Sequence, residues 1–159
     1  MMNVSMFFMG IKINPRDILV TGPNLRVDPN LDTYIGLSSC LVDSRPLKVI
    51  YTIIGESHAD IDIADSLGGF SNLRASCATV GQLAKEIQLA MNGEKGLFKK
   101  GESYLPHFLD KDKNVLPVLV CWCNIENRWT ISCFDSAQNV RWNVGLLVCG
   151  NEVARPSQI

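Results

Sequence analysis

The chain has 159 residues, of which 47% are hydrophobic and 19% are charged, and its formal net charge is −1. This composition is typical of a compact globular protein and excludes a disordered chain. The near balance of 15 basic and 16 acidic residues excludes an overall field that would draw the protein to nucleic acid or to an anionic membrane. No linker-like segment divides residues 1–159, so we expect a single domain.

The N-terminal residues 1–13 are apolar, but they lack the basic flank and the small-residue cleavage site of a signal peptide. No apolar run in the chain approaches the roughly 20 residues that cross a bilayer. The six cysteines are then most simply reduced thiols, and we expect a cytoplasmic location. Phosphate-binding glycine loops and the nucleophile-elbow motif are absent, so the sequence predicts no cofactor.

The first half of the chain is predicted to contain three strands followed by a loop. Segments rich in β-branched and aromatic residues predict strands at 4–13, Thr33–Val42 and Leu47–Ile54. Residues 55–75 show no regular apolar period and contain Gly68-Gly69, so we expect a loop there.

One segment has the apolar period of an amphipathic helix, which predicts a helix at about residues 77–92. Its apolar stripe consists of Val80, Leu83, Ala84, Ile87 and Met91. Thr79 and Gln82 have the spacing of a capping box, so Thr79 can be the N-cap. A start with Ser76 as the N-cap is equally compatible with the sequence and would place Cys77 on the first helical turn.

Three further strands are predicted at Val115–Asn124, Arg128–Phe134 and Val140–Cys149. Short turns separate them, which indicates a three-stranded antiparallel meander, and a two-residue turn at Glu126-Asn127 would place Cys123 opposite Thr130. The fold that we expect is therefore α+β, with one mainly antiparallel sheet of five or six strands packed on one main helix.

Alternation along these strands predicts two faces of the meander. The apolar face, expected to be the core beneath the helix, carries Val118, Val120, Trp122, Trp129, Ile131, Cys133, Trp142, Val144 and Leu146. The opposite face carries Leu119, Cys121, Cys123, Thr130, Ser132, Phe134, Arg141, Asn143 and Leu147.

The opposite face mixes polar side chains with an aromatic ring and an arginine, which is typical of a protein interface. We expect its members Thr130, Ser132, Phe134, Arg141 and Asn143 to bind a protein partner. Since no cofactor or catalytic motif competes with this interpretation, the sequence favours a small interaction or inhibitor module of the kind that accessory and mobile-element genes encode. Pairing of an exposed sheet edge with a second copy, giving a homodimer, is left open.

An alternative prediction is a cysteine hydrolase or transferase that uses Cys77, His107 and Asp135. A cysteine at a helix N-terminus is activated by the unpaired N–H groups there, and it requires an imidazole base and a group that orients the base. The order of cysteine-bearing helix, histidine, strand and aspartate resembles papain-like and transglutaminase-like cores in outline. His107 is predicted to lie in a loop before the strand, and this is a departure from those cores.

Two other groups of residues have metal-ligand chemistry, but neither predicts a metal site. The segment GESHADIDIAD contains an acidic and histidine-containing set, namely Glu56, His58, Asp60, Asp62 and Asp65, of which the first four lie at alternate positions. The glycine pattern of a calcium loop is missing, so a solvated loop is expected. Cys121 and Cys123 have no second cysteine pair to complete a tetrahedral zinc site, so we expect them to be passive thiols.

Overall fold

The structure is a computed structural model that describes residues 12–38, 40–41, 43, 45–134 and 140–153, with the backbone alone at 40 and 41. Its helices are α1 (Pro15–Ile18), α2 (Asn30–Ile35), α3 (Asp60–Ser66), α4 (Phe70–Ala75) and α5 (Val80–Met91). Its strands are β1 (Lys12–Ile13), β2 (Leu25–Val27), β3 (Cys40–Leu41), β4 (Lys48–Thr52), β5 (Ser103–Leu109), β6 (Val115–Cys123), β7 (Arg128–Cys133) and β8 (Leu147–Gly150). Within these ranges no helix has the length and apolar character needed to cross a bilayer.

Six strands form one mixed sheet in the order β2-β7-β6-β5-β8-β4, and β1 pairs with β3 in a separate two-stranded sheet. The β5-β6, β6-β7 and β4-β8 pairs are antiparallel, whereas β2-β7 and β5-β8 are parallel. The fold is therefore α+β, but the prediction of a mainly antiparallel sheet is wrong. Both parallel pairs join strands that are distant along the chain, so no local turn pattern indicated them.

The antiparallel meander consists of β5, β6 and β7, and not of the three strands predicted between Val115 and Cys149. Strand β5 was not predicted, and it contains Pro106, a residue that is uncommon in an interior strand. Its pairing with β6 covers Ser103–Tyr104 and His107–Leu109, so Pro106, which has no N–H, falls in a gap of the ladder. The last predicted strand is much shorter than expected, and as β8 it lies between β5 and β4.

The turn between β6 and β7 is longer than predicted. Trp122 lies opposite Trp129 and Cys121 lies opposite Thr130, so the connection spans 124–127 and not two residues. Asn127 has a φ of +56° and donates its N–H to the Cys123 carbonyl at 2.8 Å. The error in register is two residues, and a shift of two leaves each side chain on its predicted face because the period of a strand is two.

Both faces of the sheet are covered by helices. Helix α5 lies over the face that carries Val120, Trp129 and Ile131, as predicted. The other face packs on α3 and α4 in a second core that contains Ile63, Leu73, Leu105, Trp142 and Val148. The prediction that Trp142 shares the face of Trp129 is therefore wrong, since it rested on pairing residues 140–149 with β7.

The N-terminal half also differs from prediction. Residues 30–35 form a helix where a strand was predicted over Thr33–Val42, and the segment predicted as a loop, 55–75, forms α3 and α4. Most of the strand predicted at 4–13 lies outside the described residues. Of the two N-caps that the sequence allowed, the structure has Thr79, with the capping box formed: Thr79 Oγ1 accepts the Gln82 N–H at 3.1 Å, and Gln82 Oε1 accepts the Thr79 N–H at 3.0 Å.

Candidate functional site

Cys77 lies in the short segment between α4 and α5, before the Thr79 N-cap, and is therefore not on the first helical turn. Its Sγ donates to the Leu73 carbonyl of α4 at 3.5 Å. Burial raises the pKa of Cys77 to about 12, and the nearby positive charge of Arg74 lowers it only in part. A thiol with this pKa is almost entirely protonated at neutral pH, which is the reverse of an activated nucleophile.

His107 lies in the middle of β5 and not in a loop before a strand, and it is only 1% exposed. Its backbone is close to the cysteine segment, because the Ala78 N–H donates to the His107 carbonyl at 2.8 Å. Its imidazole does not hydrogen bond to Cys77: Nε2 bonds to Asp60, and Nδ1 is buried and has no hydrogen-bond partner among the described residues. Asp135 lies outside the described residues, so its position relative to Cys77 and His107 is not described.

The structure instead forms a network of Asp60, His107 and Trp142. Asp60 Oδ1 accepts one hydrogen bond from His107 Nε2 and one from the Trp142 indole, each at 3.0 Å. Burial by itself raises the pKa of Asp60, but the hydrogen bond and the electrostatic attraction from His107, together with the hydrogen bond from Trp142, outweigh it and keep the pKa below its usual value. A carboxylate that accepts two such bonds is held in its charged form.

Backbone pairing of two distant segments brings these three side chains together. His58 and Trp142 exchange backbone hydrogen bonds, with the His58 N–H donating at 3.0 Å and the Trp142 N–H at 2.6 Å. This bridge sets Trp142 beside the first residue of α3, which is Asp60. Sequence reasoning missed the network because it considered Asp60 only as a member of an acidic loop, although the apolar spacing of Ile63 and Leu67 was a local sign of a helix.

The residues with metal-ligand chemistry serve other purposes. In the described part of the chain, no three side chains of histidine, cysteine, aspartate or glutamate converge. Asp62 caps α3, because its Oδ2 accepts the Ala59 N–H at 2.8 Å. Cys121 Sγ contacts Thr130 Oγ1 at 3.4 Å, and Cys123 Sγ accepts the Glu126 N–H at 3.4 Å.

The five residues predicted to bind a partner are divided between buried and exposed positions. Thr130 is buried and donates to the Cys121 carbonyl at 3.1 Å, and Ser132 is half-buried on β7. Phe134 packs edge-on against Trp142, with the ring centroids 5.1 Å apart. Arg141 and Asn143 are exposed in the segment that precedes β8. Of the five, the structure brings Phe134, Arg141 and Asn143 together.

These three residues line one open groove of about 620 Å³, which we call the Arg141 groove. Its other lining residues include Glu102, Leu119, Trp142, Val144 and Leu146. Arg141 is fixed in place by Ser57, since Nε donates to Ser57 Oγ at 3.1 Å and Nη2 donates to the Ser57 carbonyl at 2.6 Å. Val144 leaves 53% of its surface exposed beside Arg141.

Comparison with known proteins adds no functional information: no protein-family model, no curated protein and no solved structure matches this chain.

Proposed function

We propose that this chain is a small interaction or inhibitor module that binds a protein partner through the Arg141 groove. The observation that carries the proposal is the convergence of Phe134, Arg141 and Asn143, from two segments of the chain, in one open groove. Aromatic side chains and arginine are enriched at protein interfaces, and this groove combines Phe134 with Arg141.

Arg141 is suited to be the polar anchor of such an interface. Its two hydrogen bonds to Ser57 hold the guanidinium in one orientation, so less side-chain entropy is lost when a partner binds. No described carboxylate forms an ion pair with it, so its charge is available to an acidic group on the partner. Arginine is also among the residues most enriched at energetic hot spots.

The apolar part of the groove supports the same function. The edge-on contact between Phe134 and Trp142 provides a rigid aromatic wall, and Trp142 is further held by its bond to Asp60. Exposed Val144 adds apolar surface beside Arg141. An aromatic and aliphatic patch next to a fixed arginine is typical of the centre of a protein interface.

The test compares partner recovery by tagged protein that carries Arg141→Glu or Val144→Glu with recovery by the unchanged chain. Each variant should reduce recovery of the same partner by roughly tenfold or more, because both place a charge at the centre of the interface. Lys95→Glu and Ile125→Glu are matched controls, since both positions are exposed and neither lines the groove. All four melting temperatures should stay close to that of the unchanged chain.

Undiminished recovery by Arg141→Glu and Val144→Glu would overturn the proposal, as would an equal loss in the two controls. The alternative cysteine hydrolase has no comparable support, because the thiol of Cys77 bonds to a backbone carbonyl and its pKa is raised.

We also propose a cytoplasmic location for the module. Five cysteines in the described part of the chain are free thiols, namely Cys77, Cys121, Cys123, Cys133 and Cys149. Unpaired thiols persist most readily in a reducing compartment. Cell fractionation tests this location, and recovery of the protein from an oxidising compartment with its cysteines disulfide-linked would contradict it.

A further inference from the structure

A second cavity, which we call the Ser76 pocket, lies where the start of β4, the end of β8 and the end of α4 come together. Its volume is about 330 Å³, which is within the range of small-molecule sites. Four of its described lining residues are aliphatic, namely Val49, Ile50, Leu67 and Val153. The pocket and the Arg141 groove share no described lining residue, so the inference below does not depend on that groove.

Hydrogen bonds hold the polar wall of the Ser76 pocket in place. The Ser76 N–H donates to the Asn72 carbonyl at 2.9 Å, and the Ser76 carbonyl accepts the Asn151 N–H at 2.8 Å. Asn72 Nδ2 donates to the Leu67 carbonyl at 2.7 Å. The wall is therefore formed before a ligand enters, which reduces the entropy that is lost when one binds.

The hydrogen-bonding capacity that remains in this wall is mainly that of acceptors. Asn151 has none left, since both of its Nδ2 hydrogens are donated and its Oδ1 accepts a bond from Gln82. The Ser76 hydroxyl, in a residue that is 2% exposed, donates to the Leu73 carbonyl at 2.7 Å. No described group donates to Ser76 Oγ or to Asn72 Oδ1, and each oxygen can accept a further hydrogen bond.

The charge of the Ser76 pocket is negative in the described part of the chain. Glu152 is its charged lining residue there, and no described lysine or arginine lines it. Glu152 Oε1 accepts from Lys48 Nζ at 3.2 Å, whereas Oε2 has no described donor. The two side chains are 74% and 51% exposed, and an ion pair in solvent is weak enough for another cation to replace Lys48.

We propose that the Ser76 pocket binds a small primary amine with an aliphatic body, in the form of its ammonium ion. An ammonium group has three hydrogen-bond donors and no acceptor, so it matches a wall of unused acceptors beside one carboxylate. The aliphatic lining residues fit an alkyl body. No described aromatic ring lines the pocket, and this favours a primary ammonium over a quaternary one, which aromatic cages recognise.

An NMR titration of the full chain with n-pentylamine hydrochloride tests the proposal, with sodium chloride used to keep the ionic strength constant. Near pH 7 the amine is protonated, because the pKa of an alkylammonium is about 10.4. The amide signals of Ser76 and Asn151 should shift with a Kd of roughly 10 mM or lower. Methylamine should bind roughly tenfold more weakly, since it buries fewer methylene groups, and sodium pentanoate should leave the signals in place.

Two substitutions at the mouth of the pocket should change the affinity for n-pentylamine in opposite directions. Glu152→Gln should weaken binding by roughly threefold or more, and Lys48→Met should strengthen it by a similar factor, because it removes the competing cation. Damage to the fold would weaken binding in both variants. Glu94→Gln and Lys95→Met are matched controls, since both positions are exposed and neither lines the pocket.

The absence of a saturable shift up to about 50 mM n-pentylamine would overturn the proposal. Equal binding of pentanoate, or an affinity that Glu152→Gln leaves unchanged, would also overturn it. Binding that occurs only when residues 154–159 are removed would identify that segment as the occupant of the pocket, and the proposal would again be wrong.

Discussion

The side-chain amides of Gln82 and Asn151 exchange two hydrogen bonds. Gln82 Nε2 donates to Asn151 Oδ1 at 2.7 Å, and Asn151 Nδ2 donates to Gln82 Oε1 at 3.1 Å. Asn151 Nδ2 also donates to the Cys77 carbonyl at 3.0 Å, and Gln82 is fully buried. The pair therefore joins the end of β8 to the first turn of α5, on the side of the sheet that faces the first core.

Asn151→Ala should destabilise the protein by about 1–3 kcal/mol, because it leaves one buried N–H of Gln82 Nε2 and the Cys77 carbonyl without a hydrogen-bond partner. Gln82 keeps its bonds to the Thr79 N–H and to the Arg45 carbonyl. Urea denaturation measures the free energy of unfolding. Asn143→Ala is the matched control, since Asn143 is exposed, and we expect a change below about 0.5 kcal/mol. Equal stability of the two variants would contradict a structural role for the amide pair.

Gly150→Ala should destabilise the protein by about 1–3 kcal/mol or more, because the added Cβ would overlap the Ser76 carbonyl oxygen, which belongs to the backbone. Gly22→Ala is the control, because a Cβ at Gly22 would have no atom within 4 Å. Thermal unfolding of both variants provides the measurement. A melting temperature for Gly150→Ala that matches the control would show that β8 and the residues before α5 are not in close contact.

The lowered pKa of Asp60 predicts how the stability of the protein depends on pH. The pKa of Asp60 is lower in the folded protein than in the unfolded chain. The carboxylate therefore contributes fully to the free energy of unfolding above the unfolded-state pKa of about 3.9, and this contribution is lost as the pH falls through the folded-state pKa. Asp60→Asn should therefore be less stable than the unchanged chain near pH 7, by about 1–3 kcal/mol.

The difference between Asp60→Asn and the unchanged chain should shrink as the pH decreases below about 4, because the unchanged carboxylate then becomes protonated. Urea denaturation of both proteins from pH 7 down to pH 3 measures this difference in the free energy of unfolding. Asp65→Asn is the control, since Asp65 is an exposed residue of the same helix. A difference that is constant across this range would show that the charge of Asp60 does not contribute.

Cys77 should react slowly with iodoacetamide. With a pKa of about 12, its thiolate fraction at pH 7.5 is lower than that of an unperturbed thiol by a factor on the order of 10³. Mass spectrometry of the labelled peptides gives the rate at Cys77, and glutathione is the reference thiol. Fast labelling at Cys77 that titrates well below pH 8.5 would contradict this prediction and would favour the cysteine hydrolase.

The sequence by itself determined the features that depend on neighbouring residues. The apolar stripe of α5 lies along a few turns of one helix, so local spacing specifies it, whereas that spacing left the N-cap open between Thr79 and Ser76. The faces of Trp122, Trp129 and Ile131 follow from alternation within a strand, and they are correct even though the register is shifted by two residues.

The tertiary structure alone decided the strand order and the site, because both depend on contacts between segments distant along the chain. Strand β8 lies beside β5 and β4 and not beside β7, and this places Trp142 in the second core. His107 meets Asp60 across 47 positions of the chain, and Arg141 meets Ser57 across 84. Burial of apolar surface on both faces of the sheet selects these pairings, and no periodicity within a single segment carries that information.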